Sequence, residues 1–232
     1  MIIGFSVNDI RHYEDDLAAV PAPERLLSMV EVPFVKAKAK EQIRAHEKIK
    51  ALNLSVNSIH MQKDFFQVYK TKEEMQENID YIKLLHLLLH TRTLVFHPYE
   101  DTDKDVLDFL FSNLSNITIC FENTDKSFFP IMDYCQKYHN AAMVMDISHM
   151  FFQKLTFYDY EKYKISHFHV RGYDKSVRYV RFHRNDKYIH NMALYYKSKI
   201  KDIPLILEYP YVSFMDIMDD CTALCEIIGR YT

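Results

Sequence analysis

The chain has 232 residues, of which 48% are hydrophobic and 26% charged, and it carries a formal net charge of −3 with a pI of about 6.5. This length and composition suffice for one large core, and the slightly acidic balance provides no overall positive field to attract nucleic acid or an anionic membrane. No stretch approaches the ~20 consecutive apolar residues of a membrane span, so we expect a cytoplasmic protein with a single domain over residues 1–232.

Cysteine and glycine usage excludes several kinds of site. The four cysteines contain no CxxC pair, which favours buried thiols in a reducing compartment over a zinc or redox motif. The three glycines, Gly4, Gly172 and Gly229, lie far apart. Neither a P-loop nor a GxGxxG dinucleotide fingerprint can therefore be present.

Strand-like runs recur along the whole chain and are separated by segments long enough for helices. The runs begin near Ile2, Met29, Leu54, Thr93, Ile117, Ala142, Ile165 and Pro204, with five intervals of 23 to 27 residues and two of 39. Capping-box patterns at Thr71-Lys-Glu-Glu74 and Ser213-Phe-Met-Asp216 mark two helix starts. This alternation predicts an α/β fold, a single (β/α)8 TIM barrel.

Six of the predicted strands end on a histidine or a carboxylate. These residues are His60, His97, Glu122, Asp146, His169 and Glu208. A single polar strand end is commonly just solvated, but strand residues alternate between two faces, and the alternates, such as Phe96, Phe121 and Phe168, are bulky and apolar. We expect those alternates to pack outward against the helices. The six polar side chains would then meet at the C-terminal mouth, where barrel enzymes have their active sites.

Three histidines and three carboxylates in one place predict a bound divalent metal. Buried carboxylates repel one another unless a cation compensates them, and mixed nitrogen and oxygen ligands suit zinc, manganese or iron. The residues leave open whether one, two or three ions bind. A single ion would use about four of these groups, leaving surplus histidines for acid-base chemistry or substrate binding.

Short motifs at these strand ends resemble those of the xylose isomerase-like TIM barrel superfamily. They are His97-Pro98, Glu122-Asn-Thr124, Asp146-Ile-Ser-His149, His169-Val-Arg-Gly172 and Leu207-Glu-Tyr-Pro210, and the resemblance covers roughly residues 54 to 211. The superfamily contains sugar-phosphate isomerases and epimerases. It also contains the endonuclease IV-like AP endonucleases, which are known as AP endonuclease family 2.

The resemblance also implies roles for individual residues. Glu122, Asp146, His169 and Glu208 would be the shared metal ligands, with His149 beside the substrate or on another ion. In the endonuclease-like pattern, His60 and His97 would hold a further ion together with Glu122.

The chain departs from the endonuclease-like pattern after the seventh strand. That pattern has Asp-x-His, whereas this chain has Arg181-Phe182-His183. His183 remains a candidate metal ligand, but an arginine cannot ligate a cation and can instead bind phosphate. We therefore predict that Arg181 and Lys175 contact an anionic substrate. The basic run that contains them also fits a solvated loop or a nucleic-acid contact.

His167 precedes His169 by two residues and should share its face of the strand. Direct metal ligation, contact with the substrate and a supporting position behind a ligand all remain open for this residue.

Two enzymatic mechanisms fit these residues, and a metal-binding barrel without turnover is a third hypothesis. As an isomerase or epimerase, the protein would bind a ketose-like sugar or sugar phosphate, with Glu122 or Glu208 moving a proton and His149 polarising an oxygen. As a phosphodiester hydrolase, it would use two or more ions that share Glu122. The short chain and acidic charge favour a small-molecule substrate over DNA, and we expect an isomerase or epimerase.

Overall fold

The eight expected strands form a closed parallel barrel. The computed structural model describes residues 2–6, 26–34, 39–172, 181–199, 202–209 and 213–231. Each strand pairs with the next in chain order, and β8 closes the barrel against β1. The strands are β1 Ile3–Ser6, β2 Leu27–Pro33, β3 Ser55–His60, β4 Thr93–Phe96, β5 Thr118–Glu122, β6 Ala141–Asp146, β7 Ile165–Val170 and β8 Leu205–Leu207. The prediction of a single (β/α)8 barrel architecture is confirmed.

Helices alternate with these strands along the described chain. They are α1 Ala39–Ala51, α2 Phe65–Val68, α3 Lys72–Leu89, α4 Lys104–Asn113, α5 Phe128–Cys135, α6 Ile147–Phe152, α7 Lys187–Lys199 and α8 Phe214–Gly229, with a 3-10 turn at Phe157–Tyr160. Both capping boxes are present, at the starts of α3 and α8. Among the described helices, none combines the length and the apolar character needed to span a membrane.

Two apolar layers line the strands, as the alternation of side chains predicts. Phe96, Phe121 and Phe168 belong to the large cluster that includes the buried faces of the helices. Their neighbours Val95 and Cys120 belong to a separate small cluster inside the barrel, completed by Ala142 and Val144. The polar residues at the strand ends continue this inner face towards the C-terminal mouth.

Gly4 on β1 lies where the barrel wall leaves no room for a side chain. A Cβ added there would lie 2.7 Å from the backbone oxygen of Met29 and 2.8 Å from Cδ1 of Ile206. Because a backbone atom cannot move without disturbing the strand pairing, we expect Gly4→Ala to lower the free energy of unfolding by about 1–3 kcal/mol. Urea denaturation measures this change.

Gly229 offers a matched control for this substitution. It ends α8, and no atom lies within 4 Å of an added Cβ. Gly229→Ala should be neutral or slightly stabilising, because alanine favours the helix. Equal unfolding midpoints for the two variants would contradict the crowding at Gly4.

Candidate metal centre and active-site pocket

A cavity of about 280 Å³ opens at the C-terminal mouth of the barrel. Its lining includes the predicted residues His60, His97, Glu122, His149 and Glu208, together with Arg171. The parallel strands place these side chains on one rim although they lie far apart in the sequence. The chain thus gathers imidazole, carboxylate and guanidinium groups around one small space.

Glu122 lies at the centre of this arrangement, with its two carboxylate oxygens facing different partners. Oε2 lies 3.1 Å from Nε2 of His60 and 3.2 Å from Nε2 of His97. Oε1 lies 3.5 Å from Nε2 of His149 and 3.8 Å from Nδ1 of His169. The side chain is only 2% exposed, so this carboxylate is compensated by histidines on both sides rather than by water.

Two sets of side chains around Glu122 could each hold a metal ion. We call the first set the histidine group; it consists of His60, His97 and Glu122. All three offer a ligand atom within 4.8 Å of the others. Nδ1 of His60 lies 3.0 Å from the carbonyl oxygen of Met61, and a carbonyl only accepts hydrogen bonds, so Nδ1 carries a proton. Nε2 in turn donates to Oε2 of Glu122, and loss of that proton would leave the Nε2 lone pair available as a metal ligand.

The second set, the carboxylate group, consists of Glu122, Asp146, His169 and Glu208, whose ligand atoms also lie within 4.8 Å of one another. Asp146 is held by its position as the N-cap of α6, where Oδ1 accepts hydrogen bonds from the backbone of Ser148 at 2.7 Å and His149 at 3.0 Å. This leaves Oδ2 directed at the other members of the group. The structure brings together the four residues that the motif resemblance implied as shared ligands.

Glu31 lies directly beneath the carboxylate group and was missed in the sequence. Its Oε1 lies 3.1 Å from Nε2 of His169, and its Oε2 accepts hydrogen bonds from Ser58 at 2.6 Å and from His167 at 3.3 Å. All three partners are fully buried. Glu31 therefore orients His169 so that Nδ1 faces the mouth, in the manner of a carboxylate behind a metal-bound histidine. An acid inside the apolar run from Met29 to Val32 was the available signal.

His167 accordingly contacts Glu31 and is absent from the described lining of the pocket. With Glu31 and His169 it also forms a group whose ligand atoms lie within 4.8 Å of one another, so ligation and a supporting position both remain open for this residue.

Arg171 is the second functional candidate that the sequence reasoning missed. The side chain is 2% exposed, and its guanidinium contacts Asp146, lies 2.9 Å from Glu208, and donates a hydrogen bond to Nε2 of His149 at 2.8 Å. Arg171 follows His167 and His169 at intervals of two residues, so the strand alternation already directed it to the inner face.

Arg181 and His183 do not join this centre. The guanidinium of Arg181 donates two hydrogen bonds to Asp220, at 3.0 and 2.7 Å, and also contacts Asp216. Both acids lie on the first turns of α8, so Arg181 has carboxylate partners and is not among the described residues that line the pocket. The expected phosphate clamp at Arg181 is therefore not supported.

His183 is exposed and belongs to none of the possible metal-binding groups of the described chain, because its segment packs beside α8 instead of over the mouth. Lys175 lies outside the described residues.

The contact between Arg181 and α8 predicts a role in stability. Removing the guanidinium in Arg181→Ala would leave Asp220, which is 4% exposed, without its ion pair, and we expect a loss of about 1–2 kcal/mol in unfolding free energy. Arg184→Ala is the control, since its pair with Glu226 is exposed and should contribute less than about 1 kcal/mol. Equal stability of the two variants in denaturant titrations would contradict the structural role of Arg181.

The ionisation of the centre follows from burial and from contacts between opposite charges. Burial lowers the pKa of His60, but the hydrogen bond with Glu122 and the charges of Glu31 and Glu122 outweigh it and raise the pKa to about 9. Burial also raises the pKa of Glu122, yet the charge of His97 and the nearby rings of His169 and His60 hold it well below its usual range. Despite burial, negative charge nearby likewise raises the pKa of His169, and binding of a metal at this centre would release the protons of His60 and His169.

This arrangement predicts how the stability of the metal-free protein depends on pH. The pKa of His60 is about 9 in the fold against 6.5 in the unfolded chain, so its contribution is complete below pH 6.5 and is lost as the pH rises through 9. One pKa unit corresponds to about 1.4 kcal/mol, and 1 kcal/mol shifts the Tm of a chain of this size by about 2–4 °C. Chelator-treated protein should therefore lose several degrees of Tm over this range.

The variant His60→Gln isolates that effect, because glutamine has no proton to lose. Its Tm should fall less steeply above pH 6.5. A wild-type Tm that stays constant to about pH 10, in protein shown to be metal-free by elemental analysis, would be incompatible with the compensation described.

Comparison with solved structures finds similar TIM barrels in several kinds of protein. An AP endonuclease of family 2 from Brucella melitensis superposes with a TM-score of 0.60 and 15% identity over 94% of this chain and 96% of that one. A 3-keto-D-glucoside 4-epimerase from E. coli gives 0.65 and 11%, covering 99% of both chains. A xylose isomerase domain protein from Alicyclobacillus acidocaldarius gives 0.68 and 12%, covering 98% of both.

These likenesses confirm the fold that the motifs indicated. No protein-family model matches the sequence, and no curated protein matches it significantly. At 11–15% identity the neighbours share an architecture that serves both sugar chemistry and DNA chemistry.

Proposed function

We propose that this chain is a metal-dependent isomerase or epimerase of a small sugar or sugar phosphate, acting by proton transfer at a carbon next to a carbonyl group. The observation that supports this most strongly is the cavity of about 280 Å³ with Glu122, Glu208 and His149 in its lining. This volume is close to the lower end of the roughly 300–1,000 Å³ of ligand pockets, which favours a small molecule of monosaccharide size.

The side chains at the mouth fit a divalent metal. The histidine group and the carboxylate group both offer imidazole and carboxylate donors, a mixture that suits zinc, manganese or iron. The buried Nδ1 of His169 faces the centre without a hydrogen bond, 3.8 Å from Glu122 and 3.7 Å from Glu208, whereas Asp146 and Glu208 contact the guanidinium of Arg171. A bound ion would supply Lewis-acid polarisation of the carbonyl and hydroxyl oxygens of the substrate.

Glu208 is the better placed of the two glutamates to move the proton. Its side chain is 22% exposed at the cavity, whereas that of Glu122 is 2% exposed and lies between the histidines. Arg171 lies 2.9 Å from Oε2 of Glu208 and orients the carboxylate. In this proposal Glu208 takes the proton from the carbon beside the carbonyl, and Glu122 acts mainly by holding the histidines.

His149 can serve as a hydrogen-bond donor to a substrate oxygen. Because a guanidinium only donates, Nε2 of His149 accepts the bond from Arg171. The ring can therefore donate a hydrogen bond only through Nδ1. Arg171 orients the ring, and the ring can then polarise a carbonyl oxygen of the substrate by donating a hydrogen bond to it.

Phosphodiester hydrolysis is the second candidate, favoured by one specific observation. The histidine group and the carboxylate group share Glu122, as expected of a bridging ligand between two ions that clamp a phosphate. A cleavage assay on a duplex with one abasic site distinguishes this activity from sugar isomerisation.

Hydrogen exchange tests the proposed reaction before the natural substrate is known. Metal-loaded protein is incubated in D₂O with a panel of aldoses, ketoses and their phosphates, and deuterium at the carbon beside the carbonyl is followed by NMR. We expect exchange with at least one member of the panel, and a decrease of about 100-fold or more in Glu208→Gln, since a general base contributes roughly 10²–10⁴ in rate.

Glu226→Gln is the matched control, because Glu226 is an exposed carboxylate on α8 that pairs with Arg184 away from the cavity. It should exchange at the wild-type rate. Full exchange in Glu208→Gln would remove this residue from the mechanism, and cleavage of the abasic duplex without exchange on any sugar would favour the hydrolase.

A further inference from the structure

Arg171 occupies the place in the carboxylate group where a cation would be expected. Its guanidinium contacts Oδ2 of Asp146, lies 2.9 Å from Oε2 of Glu208, and lies 4.0 Å from Oε1 of Glu122. These are oxygens that the group directs at its centre. An ion bound there would therefore compete with the guanidinium for the same atoms.

The surroundings of Arg171 hold it in this position. Nε donates to Oγ of Ser148 at 2.8 Å, and Nη2 donates to Nε2 of His149 at 2.8 Å. Ser148 is itself bound to the Oδ1 oxygen of Asp146 at 2.7 Å. Only 2% of the side chain is exposed. The guanidinium is therefore buried, and these hydrogen bonds and ion pairs fix its orientation.

The histidine group lies on the other side of Glu122 from Arg171. His60 and His97 both face Oε2 of Glu122, whereas Arg171 and His149 face Oε1. The carboxylate of Glu122 thus separates a half of the mouth that holds a permanent positive charge from a half that presents two imidazole rings.

We propose that Arg171 is a built-in cation that replaces a metal ion in the carboxylate group and confines metal binding to the histidine group. A guanidinium stays charged and cannot ligate, and a second positive ion a few ångströms away would be repelled. The chain then binds one ion, through His60, His97 and Glu122, and this deepens the proposed function, on whose metal dependence it rests.

Metal titration of the purified protein tests this assignment. Metal-free protein is titrated with Co²⁺, and the number of equivalents is read from the visible absorption of the bound ion and from elemental analysis after gel filtration. We expect one equivalent for the wild-type chain, none for His97→Ala, and one for both Asp146→Asn and Glu208→Gln, because the last two alter only the carboxylate group.

Removal of the guanidinium should open the second place. Arg171→Met should bind two equivalents of Co²⁺, whereas Arg171→Lys, which keeps a positive charge, should remain at one. The extra equivalent should disappear again in the double variant Arg171→Met with Asp146→Asn. If Arg171→Met does not fold, the single variants Asp146→Asn and Glu208→Gln still decide the assignment in the wild-type background.

The outcomes separate this inference from the proposed function. Two equivalents in the wild-type chain, or loss of its single ion in Asp146→Asn, would overturn the role of Arg171 while leaving metal dependence intact. The expected stoichiometries without deuterium exchange on any sugar would overturn the proposed reaction and leave Arg171 as the internal cation. No ion bound by either the wild-type chain or Arg171→Met would overturn both.

Discussion

The mouth of this barrel depends on the compensation of buried negative charge. Glu31, Glu122 and Asp146 are almost fully buried, and Glu208 joins them at the cavity. Carboxylates removed from water cost several kcal/mol each unless opposite charges or hydrogen-bond donors surround them. Every one of these four has such partners, and the arrangement of histidines and Arg171 at the mouth follows from that requirement.

Compensation takes a different form on each side of Glu122. Towards His60 the positive charge comes from a proton that a bound metal would displace, whereas towards Asp146 and Glu208 it comes from Arg171, which keeps its charge at any working pH. One oxygen of Glu122 therefore faces the histidines, and the other faces the permanent positive charge of Arg171. In the proposed reaction this leaves Glu208, held by Arg171, free of the ion and available to the substrate.

The scaffold beneath the mouth keeps these groups in register. Asn123 bonds the backbone of Asp146 through both ends of its amide, at 2.6 and 3.1 Å, and so ties the end of β5 to the end of β6. Asp146 in turn caps α6, which carries His149. Below them Glu31 accepts hydrogen bonds from Ser58 and His167 inside the barrel. Several of the ligand candidates, such as Asp146 and His60, are thus held by a second contact, the condition for a preorganised site.

Much of this could be predicted from the sequence, because the relevant rules are local. Strand alternation placed Phe96 outside and Val95 inside, and the intervals between strands indicated eight units of a barrel. The polar ends of successive parallel strands must share one rim, so the meeting of His60, His97, Glu122, Asp146, His169 and Glu208 required no knowledge of distances.

The tertiary structure alone decided which charge compensates which. Arg171 and Glu31 enter the centre through contacts across strands that are distant in the chain, and Arg181 turns to Asp216 and Asp220 on α8. Such pairings depend on the stagger of the barrel strands and on the side-chain conformations that packing permits. The sequence around Arg171, Glu31 or Arg181 determines neither of these. The sequence by itself determined where the polar groups converge; the closed barrel determined that one of their cations is an arginine, because only there do its guanidinium and the carboxylate oxygens come within a few ångströms of each other.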